Sequence, residues 1–244
     1  MAGTFSKRSR RNFYFFKSRD NVLSENQFKG FGKELFKFLK DLKKNNRVEW
    51  FHENKNRYQE FVVSPAKSFI VEMSPFLNRL NPAIRTEPKF NETIMRLNKD
   101  MRFTKGEPYR PFLLIHFGRF KLDSEFYLYF QPDDFGLGMF INKKSGENLH
   151  FAQNLKKYRK EIIEVCERYK INRNFKLSDL QNESEVIQKK FDASKHLDLL
   201  DDIEYVLLEI AKPIPDKILF SDAIVVETIK MISRLYPLYC FAIS

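Results

Sequence analysis

The sequence predicts an α+β domain. Three observations predict it: apolar residues at helical spacing from Phe31 to Leu80, four short segments of strand character between 92 and 142, and helical periodicity again from Glu147. The links between the strand segments are too short to hold a crossover helix. The expectation is therefore a mainly antiparallel central sheet of about four or more strands, with amino-terminal and carboxy-terminal helices packed on it.

The elements follow in order. Phe31, Leu35, Phe36, Phe38, Leu39 and Leu42 recur at helical spacing with lysines between them, which predicts a core helix. Asn46 with Glu49 three residues on has capping-box spacing and predicts a second helix to about Val62. Ser64-Pro65 predicts the cap of a third, which turns Phe69, Ile70, Met73, Phe76 and Leu80 inward before Asn81-Pro82. Strands are expected near 92–98, 110–118, 124–131 and 136–142, with Lys105, Gly106 and Pro108 in a longer link suited to binding. A long helix over about 147–169 carries Lys156, Lys157, Arg159, Lys160 and Arg168 on its polar side. The polar stretch from Ile171 to about Lys195 fits no element; helices are expected near 198–208 and over about 221–235.

Residues 1–27 read as a basic, mobile arm with Phe13, Tyr14, Phe15 and Phe16 among its cations, and residues 28–244 as a single α+β domain. Twenty-six phenylalanines against eight glycines and one tryptophan point to a core built of Phe packing. No window approaches the roughly 18 apolar residues of a membrane span, and the basic leader lacks an apolar signal core, so a cytoplasmic chain is expected. Two widely separated cysteines, Cys166 and Cys240, exclude a disulfide framework and a zinc quartet and read as buried thiols. The net charge of +11 favours a polyanionic partner.

The densest chemistry lies in Arg96–Arg110, five cations in fifteen residues. On a strand, Arg96, Asn98, Asp100 and Arg102 share one face and Met95, Leu97, Met101 and Phe103 the other. Arginine suits phosphate or carboxylate because its planar fork donates two parallel hydrogen bonds. Arg96 and Arg102 are thus candidate clamps, Asp100 an orienter, Lys105 and Arg110 outer cations, and Tyr109 lies beside them; the competing reading is a closed Arg-Asp-Arg network. Trp50, Asn54 and Arg57 come close on a helix and could form a wall. His116 lies in an apolar strand and could face Tyr127 and Tyr129 if the register allows; it and Asp100 are the candidates for catalysis. There is no P-loop, GxGxxG, HExxH or GxSxG, so an ordinary nucleotide cradle, a helical zinc site and a serine elbow are unsupported, and no cofactor follows.

The strings NNRVEWF with NKNRY at 45–58, RLNKDMRFTKGEPYR at 96–110, FYLYFQPDDFGLGMF at 126–140 and RLYPLYCF at 234–241 resemble, in order, an uncharacterised family, domain of unknown function 2461, over roughly residues 28–242. Arg96, Asp100, Arg102, Phe103, Thr104, Lys105, Pro108 and Tyr109 fit its middle motif, while Asn98 and Pro111 depart from it. The resemblance implies an architecture and no activity. Four functions follow as expectations: a pocket for a phosphorylated or other anionic small molecule; a nucleic-acid-binding module using the arm and the Lys-rich helix; a hydrolase with Asp100 as base; and a protein-interaction scaffold. Whether the chain is an enzyme, its metal dependence and its oligomeric state are left open by the sequence.

Overall fold

The computed structural model describes residues 27–102, 105–120, 123–143, 150–181 and 185–244. The expected arm, apart from Gln27, and the motif residues Phe103 and Thr104 lie outside them.

The first helix, α1 (Lys33–Lys44), buries Leu35, Phe38, Leu39 and Leu42, with Glu34 in its first turn and Lys43 and Lys44 in its last to complement the helix dipole. Gly30 precedes it at φ +115, and a Cβ there would lie 2.6 Å from the Phe220 backbone, so only glycine fits both the dihedral and the close approach. The capping box does not form. Arg47 is the N-cap of α2 (Val48–Glu53), without a side-chain bond. Asn46 instead accepts from the Tyr109 amide at 3.0 Å and donates to its carbonyl at 2.8 Å. Nor does a new helix begin at Ser64: α3 (Lys55–Tyr58) runs through a π turn (Gln59–Val63) into α4 (Ser64–Leu80), and Ser64 is itself helical. The wide turn accommodates Pro65, which lacks the amide and crowds the carbonyl that a continuous α-helix would present.

Strands β1 (Leu113–Phe117), β2 (Glu125–Phe130) and β3 (Phe135–Asn142) lie where expected. The strand expected at 92–98 is only a set of isolated bridges, Ile94 to Phe90 and to Ile115, and Asn98 to Tyr109. It is interrupted by a turn in which the amides of Glu92, Thr93 and Ile94 converge on the Lys89 carbonyl, with Asn91 at φ 65. What remains covers the edge of β1 through Met95 N to Leu114 O and His116 N to Thr93 O, each 3.0 Å.

The second half departs further. The expected long helix breaks at Tyr158 (φ −118, ψ 36) into α5 (His150–Lys157) and α6 (Arg159–Arg168). The unassigned polar stretch holds β4 (Phe175–Asp179) and β5 (Glu185–Gln188), followed by α7 (Ala193–His196). The helix expected over 198–208 is α8 (Leu199–Asp202) followed by β6 (Tyr205–Ile210), where Val206 and Leu208 are buried and the residues between them face the other way. After α9 (Asp216–Leu219), α10 (Ala223–Ile243) continues well past Leu235 because Leu238, Tyr239 and Ala242 are buried, and this offsets the amide missing at Pro237.

The six strands form one antiparallel sheet, order β1-β2-β3-β6-β4-β5. One face is covered: α10 packs on β3, the Tyr239 ring lies 4.8 Å from Phe126, and Phe31 lies 4.5 Å from Phe130. A buried network locks this layer. Arg119 donates to both oxygens of the fully buried Asp123 at 2.9 and 3.1 Å, Tyr239 adds a hydroxyl at 3.3 Å, and Arg119 also reaches the Ile243 carbonyl at 3.1 Å.

Candidate functional site

Period-two alternation sends the other half of each strand to the uncovered face. The register aligns His116 with Tyr127, Tyr127 with Gly138, and Gly138 with Glu209, which itself pairs with Lys176. Four strands therefore contribute one polar row across the sheet. Above it lies a hollow of about 880 Å³, rimmed by Arg85, Asn91 and Met95 and walled by Phe112, Tyr129 and Phe140.

Two glutamates form the poles of the hollow, each seated against a glycine. A Cβ on Gly118 would lie 2.6 Å from Glu125 Cγ, and one on Gly136 would lie 2.1 Å from Glu209 Oε2, so both carboxylates occupy space that the glycines leave empty. At the first pole Glu125 Oε2 lies 2.9 Å from His116 Nδ1, and its Oε1 lies 3.7 Å from Arg85 Nη2. Arg85 also pairs with Glu92 at 3.1 Å, and its Nε reaches the Gly118 carbonyl at 3.4 Å. The side chains of His116 and Glu125 are only 13% and 14% exposed. Even so, His116 Nδ1 and Arg85 Nη2 have no aligned hydrogen bond among the described residues. At the second pole Tyr127 donates to Glu209 Oε2 at 3.0 Å, and Lys176 pairs with Oε1. Burial, then the Glu209 charge, pushes the Tyr127 phenol well above its ordinary range, which keeps it a donor. Burial also raises Tyr129.

The residues expected to form a site are not gathered there, His116 excepted. Arg102 donates to Asp100 through Nε at 3.0 Å and Nη2 at 2.7 Å, on an exposed turn rather than a strand face. That bond lowers the Asp100 carboxyl and raises the Arg102 guanidinium. Arg96 is exposed, with its guanidinium 3.3 Å from the Asn91 side-chain amide when that amide presents its oxygen. Arg110 donates to the carbonyls of Arg96 at 3.3 Å and Asn98 at 2.8 Å, and so ties the loop together. Tyr109 is buried, its ring stacked 4.2 Å from Phe51. Lys105 and Asn98 are exposed. The expected wall is a brace between helices: Asn54 donates to the Trp50 carbonyl at 2.9 Å and accepts from Arg57 at 2.8 Å, and Arg57 pairs with Asp41 at 2.8 Å. Trp50 packs 5.7 Å from Phe38.

Sequence reasoning missed Arg85, Glu125, Lys176 and Glu209. The alternation Glu125-Phe-Tyr-Leu-Tyr-Phe130 already carried a signal, since it places Glu125 with Tyr127 and Tyr129.

Fold and site together define an α+β protein whose antiparallel sheet is sealed by helices on one face and open on the other at a polar, aromatic-walled hollow. The chain belongs to the family described as conserved hypothetical protein (DUF2461), which matches residues 34–241. No curated protein and no solved structure matches it. Among the described residues no helix is long and apolar enough to cross a membrane, and no group of three or more His, Cys, Asp or Glu side chains could hold a metal ion.

Proposed function

We propose that this chain binds a small organic molecule in the hollow and moves a proton on it, with His116 and Glu125 as the acid–base pair and Glu209 as the second polar anchor. A carboxylate beside an imidazole fixes the orientation of the ring, which suits general acid–base work. The observation that carries the reading is the His116–Glu125 pair itself, 2.9 Å apart and mostly shielded from solvent, at the wall of a large cavity. The pair lines that cavity, where a ligand can reach it. Two free cysteines fit a cytoplasmic setting.

Screening nucleosides, sugar phosphates and amino acids by thermal shift tests this. A compound that stabilises the wild type should lose its effect in His116→Ala and keep it in Arg102→Ala. Equal stabilisation of all three proteins rejects the hollow as the site.

A second reading keeps the anionic partner at the loop. The exposed Lys105 and the 80% exposed Arg102 side chain on a chain of charge +11 support contact with a phosphorylated molecule, or alternatively with nucleic acid. Affinity that falls steeply with salt and drops on Arg102→Ala is its signature.

A further inference from the structure

We infer that the hollow selects a flat aromatic ring bearing an amidine-like pair of N–H donors, a cationic or neutral nitrogen edge rather than a phosphate or carboxylate. The inference rests on the pocket reading above and names its ligand class.

Charge is the first argument. Both cations at the hollow are already matched, Arg85 by Glu92 and Glu125 and Lys176 by Glu209. Asp134 adds a further carboxylate to the lining. An entering anion would meet surplus negative charge in a space partly shielded from water, where like charges repel more strongly than at the surface. An entering cation or strong donor would meet acceptors.

The capacity of Glu209 is the second. Its two oxygens accept Tyr127 and Lys176, one each, and a carboxylate offers about four lone-pair positions. One position per oxygen is left, which matches two parallel N–H donors on a single planar edge. The Tyr127 and Lys176 bonds hold that carboxylate in place, so it is preorganised to receive them.

Shape is the third. Gly136 and Gly138 stand on the open face of β3, opposite Tyr129 and Tyr127. Their missing side chains make room for the Glu209 carboxylate at Gly136 and for the β6 backbone at Gly138, which seats that carboxylate beside the tyrosines. Phe112 meets Tyr129 edge to face at 4.9 Å and Phe140 completes the wall, so aromatic surface borders the hollow and favours a planar ligand that carries positive charge.

Benzamidine, benzamide and benzoate share one ring and differ in head-group charge, which makes them the probes. Titrated into the full chain and followed by the ring signals of Tyr127 and Tyr129 in NMR, benzamidine should bind best and benzoate weakest, about tenfold apart or more. Glu209→Gln should erase the preference. Lys176→Met, which frees a lone pair of Glu209 and removes a cation, should increase it, a gain that no loss of folding could mimic. Benzoate binding as tightly as benzamidine, with the same tyrosine signals moving, overturns the ligand class and leaves the pocket standing. If none of the three moves those signals at millimolar concentration, pocket and class fall together.

Discussion

The two faces of the sheet are made from alternate residues of the same strands, and they differ in kind. β2 sends Phe126, Leu128 and Phe130, all fully buried, to the helices, and sends Glu125, Tyr127 and Tyr129 to the hollow. A register slip of one residue would exchange them, placing a glutamate in the core and phenylalanines in water, so the apolar set fixes the pairing and thereby aims the polar set. The site is held in place by residues that never touch it. The difference teaches that a helix layer on the second face would have to bury Glu125, Glu209, Lys176 and His116, at a cost that their mutual pairing only partly offsets.

Neighbouring substitutions break the comparison most directly. Phe126→Ala should cost about 3–5 kcal/mol by urea unfolding, because it leaves a cavity beneath Tyr239. Tyr127→Phe, one residue on, should cost only about 0.5–1.5 kcal/mol for one hydrogen bond to Glu209. A reversal of that order would mean the faces are exchanged.

Alkaline pH probes both faces at once. Burial pushes the Cys166 thiol up to about 12 from its usual 9.0, and raises the phenols of Tyr58 and Tyr239 in the helix layer and of Tyr127 in the hollow. A folded pKa above the unfolded one gives stability that is whole below the unfolded value and lost as pH rises through the folded value. The unfolding midpoint should therefore hold between pH 7 and 9 and fall from pH 9 towards 12, with Cys166 alone accounting for about 2–3 kcal/mol by pH 11. Cys166→Ala should flatten the early part of the fall, and Tyr127→Phe a later part that begins near pH 10.

Two glycines sharpen the comparison at closer range. A Cβ on Gly138 would lie 2.3 Å from the Leu208 carbonyl oxygen, and backbone cannot step aside, so Gly138→Ala should cost about 1–3 kcal/mol. A Cβ on Gly136 meets only the far end of Glu209, which can swing away. Gly136→Ala should cost about 0.5–1.5 kcal/mol, the worth of the hydrogen bond lost as Glu209 detaches from Tyr127. The Tyr127 ring signal would report this; an unmoved signal would show that Glu209 does not depend on the glycine for its seat.

Helix α1, the first three strands and the antiparallel pairing were legible because period and link length carry them. β6 was not, since Asp-Leu-Leu-Asp-Asp before Tyr205-Val-Leu-Leu-Glu-Ile210 suits a helix until the sheet supplies partners for its edges. That miss hid half of the hollow, because Glu209 sits on β6. The other half escaped notice for a different reason. Charge density drew attention to Arg96–Arg110, yet charge density measures solvation as readily as function, and the carboxylates of the hollow are sparse residues brought together by strand pairing, as Glu125 Oε2 with His116 and Tyr127 with Glu209 at a separation of 82 illustrate for near and far contacts.

The smallest expected effect lies in that basic loop. Arg102 and Asp100 are both exposed and bonded to each other two residues apart, so in water each can exchange its partner for solvent at little cost. Arg102→Ala should leave the unfolding midpoint unchanged and should not alter benzamidine binding, since Arg102 is not among the residues lining the hollow. Its only measurable consequence should be weaker, less salt-sensitive contact with polyanions, read as a shallower slope of affinity against ionic strength in a heparin or phosphate titration. If instead Arg102→Ala abolished benzamidine binding, the loop would have to close over the hollow, and the basic segment and the open face would be parts of one site.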